Sequence, residues 1–442
     1  MPATTKTETI TLQEQAQNTR RAARALARLS GEQRNGILLK AANLIEARCA
    51  EILAANQADC EAFTAAVGNG TASEVLLKRL KTSAAGVSEM AARVRDVARL
   101  DDPLEKVIAT TELDDGLVLK KVPCPLGVMA VIFESRPDVV PQVGSLAIKT
   151  GNGLVLKGGM EARNTNRVLV GIWREALAAH DARLAACICL LEDRAEVMQV
   201  LQMEREIDLV VPRGSTDFVN FVFQHSRIPV LGHGSGICHI YVDRAADRNM
   251  AKEVVIDAKV QYPAACNSVE KVLVHQDVAA RFLPEMGRAL QSAGVEVRGC
   301  ERTLELCPGL NVIPAGEEDW STEYSDLKIT VKVVASLQAA IEHIDRYGSR
   351  HTESILTEDP AAAETFLDEV DAASVFHNAS TRFADGFRYG LGAEIGISNS
   401  KLHARGPVGM EGLLTYKYKL HGSGQIVSSY AEGKKTFKHK RI

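Results

Sequence analysis

What this 442-residue chain lacks narrows it first. No apolar run approaches the length of a membrane span, so no spanning helix is expected. The opening stretch MPATTKTETITLQEQ has no hydrophobic segment of the kind a secretory leader needs, and none is expected. An excess of one charge is missing as well: a formal net charge of -4 favours neither nucleic acid nor a membrane surface as partner. The nine cysteines are odd in number and scattered, which excludes a disulfide framework and fits a reducing cytoplasm. There is no HExxH, no CxxC pair and no clustered His/Cys spacing, so no metal is expected. Neither GxGxxG after the first strand nor GxxxxGK[ST] occurs, which excludes the usual dinucleotide turn and a P-loop.

What is present reads as a globular protein, with 46% hydrophobic and 24% charged residues. Its length predicts two domains and an appendage. Residues 12–99 show leucines and alanines at helical spacing, with a turn at Gly68-Asn69-Gly70. Asp115-Gly116 between two β-like runs predicts a hairpin, a ribbon over about 110–126, with a strand-like partner from Leu413 to Ser429. From Val128 short apolar runs (VMAVIF, LVLK, LAACICLL, IDLVVP) alternate with amphipathic segments, which predicts a parallel, doubly wound sheet. The alternation restarts after Ile237–Asp243. The expected division is therefore 1–243, 244–400 and a C-terminal segment 401–442.

Three constellations carry chemistry. Cys266 follows YPAA in a predicted loop and precedes Asn267 and Ser268, which can donate hydrogen bonds; nearby N–H groups lower a thiol's pKa and can hold an oxyanion. The remaining cysteines read as small hydrophobes or as structural. Ligands of such sheets bind at the carboxyl ends of strands, and those ends carry Glu134-Ser135-Arg136, Lys157-Gly158-Gly159 and Arg213-Gly214-Ser215-Thr216. Lys157 can reach a ribose or phosphate, and Gly214-Ser215-Thr216 is either an anion seat at a helix start or a plain cap. Gly232-His233-Gly234-Ser235-Gly236 precedes a strand rather than a helix and reads as a linker. The third constellation is Ser380-Thr381-Arg382-Phe383 with Arg388, Glu394 and Ser398, where two arginines can hold carboxylate or phosphate or simply charge an exposed loop.

Six segments, in order, carry a family resemblance: VPCPLGVMAVIFESRP, LVLKGGMEARNTN, VPRGST, QYPAACNSVEKVLVH, HTESILTED and STRFADGFRYGLGAEIGIS. Together they resemble the gamma-glutamyl phosphate reductases, a branch of the aldehyde dehydrogenase superfamily. The resemblance implies an α/β fold of two doubly wound domains, an NADP(H)-binding domain over 1–243 and a catalytic domain over 244–400. It also implies a β-ribbon flap for oligomerisation, with its C-terminal strand at about 413–429. The implied reaction is NADPH-dependent reduction of L-glutamyl 5-phosphate to L-glutamate 5-semialdehyde with release of phosphate, the second step of proline biosynthesis. The partners implied are a second copy of the chain and, functionally, glutamate 5-kinase.

By position, Cys266 matches the nucleophile, Lys157 the lysine on the cofactor ribose, Glu323 the acid on the nicotinamide ribose, and Gly214 and Ser215 the turn near the pyrophosphate. Ser135 falls roughly where hydrolytic relatives place the oxyanion-hole asparagine, and Asn267 is a second donor. Arg382 and Arg136 are the expected anion holders, with Arg388, Glu394 and Ser398 in the substrate loop. One departure is informative. Hydrolytic relatives carry a general-base glutamate where this chain has Val230-Leu231-Gly232-His233-Gly234, and its absence spares a thioester from water. An enzyme acylating coenzyme A and a silent dinucleotide-binding scaffold are the alternatives.

Overall fold

The protein is described here by a computed structural model covering residues 11–68, 74–193 and 195–442. The turn expected at Gly68-Asn69-Gly70 lies outside the described residues from Asn69 onward. The chain divides into two compact units: Met1–Leu231 with Leu391–Ile395 and Val408–Ile442, and Gly232–Gly390 with Gly396–Pro407.

The first unit opens with helices Leu12–Leu26, Gly31–Ala47, Cys49–Gly68, Glu74–Leu80 and Ala84–Arg99. Thr11 with Glu14, and Ser30 with Gln33, form capping boxes that satisfy otherwise orphaned N–H groups and fix two of the starts. Strands β1 (Ala109–Asp114) and β2 (Leu117–Pro125) form the expected hairpin, with Gly116 at φ 68° where a side chain would be strained. The C-terminal strand Leu414–His421 pairs antiparallel with β2 along its whole length. It does not run on to Ser429: Gly422 and Gly424 (φ 97°) break it, and Val427–Ala431 is a short helix.

β3 (Val128–Phe133), β4 (Gly153–Lys157), β5 (Ile188–Leu191) and β6 (Leu209–Arg213) form a parallel sheet in the order β5-β4-β3-β6. Every residue of β3 and β4 is buried, which is why these strands read as unbroken apolar runs. The run LAACICLL yields only the four residues of β5, because Asp181 caps a 3-10 turn over Ala182–Cys187. Lys157, Glu134-Ser135 and Gly214-Ser215 stand at the carboxyl ends of β4, β3 and β6.

The second unit holds β7 (Cys238–Val242), β8 (Val269–His275), β9 (Glu296–Gly299), β10 (Val312–Pro314), β11 (Lys328–Val334), β12 (Thr352–Leu356) and β13 (Ser374–His377). All are parallel, in the order β10-β9-β11-β8-β7-β12-β13. β7 corrects the expected boundary. It is central in this sheet, between β8 and β12, and Ile240 and Val242 join the second unit's core. The division therefore falls between Leu231 and Gly232 rather than after Asp243, and Val408–Ile442 belongs with the first unit. Among the described residues no helix is long and apolar enough to cross a membrane.

Candidate active site

The site in the second unit is built at the amino ends of four neighbouring strands, not at the carboxyl ends the sheet type suggests. Cys266 lies in the loop before β8, the Gly232–Gly236 segment precedes β7, His351 precedes β12 and Glu323 precedes β11. These strands are adjacent in the order β11-β8-β7-β12, so residues far apart in sequence come together.

Cys266 Sγ and one ring nitrogen each of His233 and His351 lie within 4.8 Å of one another. Burial opposes ionisation of the Cys266 thiol, but His351 and then His233 outweigh it, and the thiol titrates well below the ordinary range. Burial likewise opposes charge on His233; the Cys266 thiolate overrides it and raises the imidazole to about 9. The pair is a thiolate beside an imidazolium. His233 is oriented by the Ile397 carbonyl, 2.9 Å from Nδ1, and His351 by Thr352 Oγ1, 2.9 Å from its own Nδ1. Neither histidine stands out in the sequence. The one signal was the glycine-broken stretch at 230–234, where Val230 stands in place of the hydrolytic glutamate and His233 follows three residues on.

The loop is gripped from behind. Cys238 Sγ donates to the Cys266 carbonyl at 3.3 Å and lies 3.6 Å from His351 Nδ1; burial pushes this second thiol well up, so it stays protonated. A Cβ placed on Gly236 would sit 2.8 Å from both Cα and C of Cys266, so only glycine allows this backbone approach. Gly236 N–H donates to Glu323 Oε2 at 2.8 Å. Glu323 is held by buried charge: Lys271 Nζ donates to the Thr322 carbonyl at 2.7 Å, and Glu270 accepts from Tyr324 N–H at 3.2 Å while pairing with Lys259 at 3.1 Å.

Asn267 is buried, and its amide nitrogen donates to the Ala384 carbonyl at 2.7 Å. Arg382 is buried too, with Nε on Gln261 Oε1 at 2.9 Å and its guanidinium 5.8 Å from the Tyr262 ring centroid. Burial and then Arg388 work against its charge, which the Cys266 thiolate favours. Arg388 donates to the Arg382 carbonyl at 2.6 Å. Ser398 is buried beside Ile397 in a two-residue strand paired with Gly406–Pro407.

The remaining expected residues lie in the first unit. Ser135 has φ 41°, and its N–H and Oγ both donate to Glu161 Oε1, at 2.6 and 2.7 Å. Its hydroxyl proton is therefore committed to a carboxylate. Arg136 pairs with Asp138 at 2.9 Å. Glu394 belongs to this unit, and its carbonyl accepts from Gln142 Nε2 at 2.9 Å. Lys157 is buried with Nζ on the Gly158 carbonyl at 2.6 Å. Ser215 caps helix Thr216–His225, accepting from Phe218 N–H at 3.4 Å.

Each unit is built on a parallel α/β sheet, and the second carries a thiolate paired with an imidazolium. A family model described as the aldehyde dehydrogenase family matches residues 2–308. A gamma-glutamyl phosphate reductase from a Cyanothece species is 53% identical over 434 residues, covering 98% of each chain. The crystal structure of gamma-glutamyl phosphate reductase from Thermotoga maritima is similar with a TM-score of 0.90 at 42% identity, covering 93% of this chain and 99% of that one. Glyceraldehyde-3-phosphate dehydrogenase from Methanocaldococcus jannaschii, complexed with NADP, shares the fold (TM-score 0.65, 16% identity, covering 95% of this chain and 97% of that one). The chain belongs to the aldehyde dehydrogenase family, on its gamma-glutamyl phosphate reductase branch, and is an oxidoreductase.

Proposed function

We propose that the protein reduces L-glutamyl 5-phosphate to L-glutamate 5-semialdehyde, releasing phosphate and consuming NADPH, as the second step of proline biosynthesis. The observation that carries the reading is Cys266 held as a thiolate against His233 and His351. The thiolate attacks the acyl carbon, and the bond to the phosphate oxygen breaks. Protonated His233 supplies the proton that the departing phosphate takes, leaving a thioester on Cys266. No carboxylate stands at 230–234 to activate water, so the thioester is spared hydrolysis. A bound reduced nicotinamide supplies hydride to the thioester carbon. The resulting thiohemiacetal then collapses, returning its electron pair to Cys266 sulfur and freeing the aldehyde. One proton is consumed per turnover, matching the reaction's balance.

The cofactor residues fit a dinucleotide in kind. Lys157 ends β4 beside two glycines, and a Cβ on Gly214 would lie 2.8 Å from Glu134 Oε2, so the backbone of that turn lies bare beside the Glu134 carboxylate. Lys157, Gly214 and Ser215 in the first unit and Glu323 in the second are the proposed cofactor holders. Glu161, the acid nearest to Lys157 in sequence, accepts both Ser135 donors through Oε1; NADPH rather than NADH is proposed on the family resemblance. Arg382 and Arg388 in the second unit and Arg136 in the first are proposed holders of substrate anions, and Ser398 and Glu394 are proposed as further substrate-binding residues. Asn267 remains an oxyanion candidate through its second amide hydrogen. The strand Leu414–His421, with Tyr416, Tyr418 and Leu420 exposed, is the proposed surface for self-association; glutamate 5-kinase is the proposed functional partner, and the cytoplasm the proposed compartment.

The test runs the reaction in reverse, because the acyl phosphate is unstable. Pyrroline-5-carboxylate, in equilibrium with the semialdehyde, is supplied with NADP+, and NADPH is followed with and without phosphate. Phosphate-dependent reduction that Cys266→Ala abolishes is expected. Phosphate-independent reduction points to hydrolysis and overturns the reading, as does retained activity in the variant.

A further inference from the structure

The spacing of histidines and cysteines along the chain gives no hint of a metal, yet the fold assembles a donor set from three loops. His233, Cys266 and His351 each present one ligand atom, and all three atoms lie within 4.8 Å of one another. Both rings are already oriented through Nδ1, by the Ile397 carbonyl and by Thr352 Oγ1. That leaves Nε2 as the nitrogen of each ring available to Cys266 or to an ion. In His351, a side chain with no exposure, Nε2 is buried without any hydrogen-bond partner. Metal-bound histidines are oriented in this way, one nitrogen held by an outer oxygen and the other turned to the ion.

Zinc bonds of about 2.0–2.3 Å place tetrahedral ligand atoms roughly 3.3–3.7 Å apart, so the triangle needs to contract by about 1 Å. Three protein ligands of nitrogen and sulfur leave a fourth position for water, and thiolate with imidazole selects zinc and cobalt over magnesium or calcium. We infer that His233, Cys266 and His351 form a reversible site for zinc or a similar soft divalent ion. Occupancy removes the nucleophile by coordination, with no covalent change, and a chelator restores it. The binding stands on geometry alone; the loss of activity rests on the reading of Cys266 as the nucleophile.

The full chain, treated with chelator, is titrated with cobalt(II) and followed by absorption. Expected is one cobalt per chain, with a thiolate-to-cobalt charge-transfer band in the near ultraviolet and tetrahedral bands in the visible, both displaced by zinc. The band is lost after alkylation of Cys266 with iodoacetamide, which needs no variant to fold. His351→Gln lowers the affinity by more than the roughly 10–100-fold that loss of an outer partner costs. Absence of the band in active enzyme overturns the site, and so does its persistence after alkylation. The reverse assay, run at the same zinc concentrations, falls as the site fills and recovers with chelator. A normal cobalt spectrum with undiminished activity supports the site and sinks the nucleophile reading instead.

Discussion

Gly236→Ala tests the architecture of the nucleophile loop at one atom. The added Cβ would sit 2.8 Å from Cys266 Cα and C, and closer still to its carbonyl oxygen, against an ordinary contact of at least 3.4 Å. The obstacle is backbone, so no side chain can swing aside. Cys266, or the strand start at β7, must move by about 1 Å, a displacement that costs on the order of 100-fold in rate when it falls on the reacting atoms. The same shift pulls Gly236 N–H from Glu323 and the Cys266 carbonyl from the Cys238 thiol. The expected result is kcat/KM lower by about 100-fold with little change in secondary structure by circular dichroism, and a slower reaction of Cys266 with iodoacetamide. Wild-type kcat/KM together with a wild-type alkylation rate would refute the claim that this approach positions the thiolate.

The charge state of the pair predicts two pH profiles. Because the Cys266 pKa is depressed, its thiolate persists as pH falls below the usual thiol value of about 8.5, so alkylation should stay nearly flat through that value; a rate rising tenfold per pH unit up to it contradicts the depression. Reduction of the acyl phosphate should decline as pH rises through about 9, where His233 loses the proton the leaving phosphate takes. Lys259→Met takes from the buried Glu270 its hydrogen-bonded cation, leaving only the field of Lys271, and should destabilise the second unit by about 3–5 kcal/mol in urea unfolding; a loss under about 1 kcal/mol counts against the pairing. Lys157→Ala should raise the KM for NADPH by about 10–100-fold, the equivalent of one charged hydrogen bond, and an unchanged KM removes Lys157 from the cofactor site.

How much of this was legible follows from what each feature depends on. β3 and β4 were legible because both faces are covered, so their sequences are apolar throughout and no partner need be known. Two of the early helix starts were written locally in Thr11-x-x-Glu14 and Ser30-x-x-Gln33. Cys266 was legible as a thiol in a polar loop, and the family resemblance supplied the role proposed for it. His233 and His351 were not, since their meaning arises only from strand order. His233 sat in glycines that read as a linker, although one of them, Gly236, is what lets the segment press against the Cys266 backbone. His351 looked like any residue leading into a buried strand. β7 and β8 follow one another in the chain, but β12 reaches the far side of β7 only after three further strands have been laid down. A parallel sheet places the amino ends of neighbouring strands along one edge, so the loops before β11, β8, β7 and β12 must meet whatever their separation in sequence. The thiolate's chemistry is therefore a property of the sheet's topology. Replacing either histidine should raise the Cys266 pKa while leaving the strands intact, and this is the sense in which fold, rather than any local motif, holds this cysteine as a thiolate.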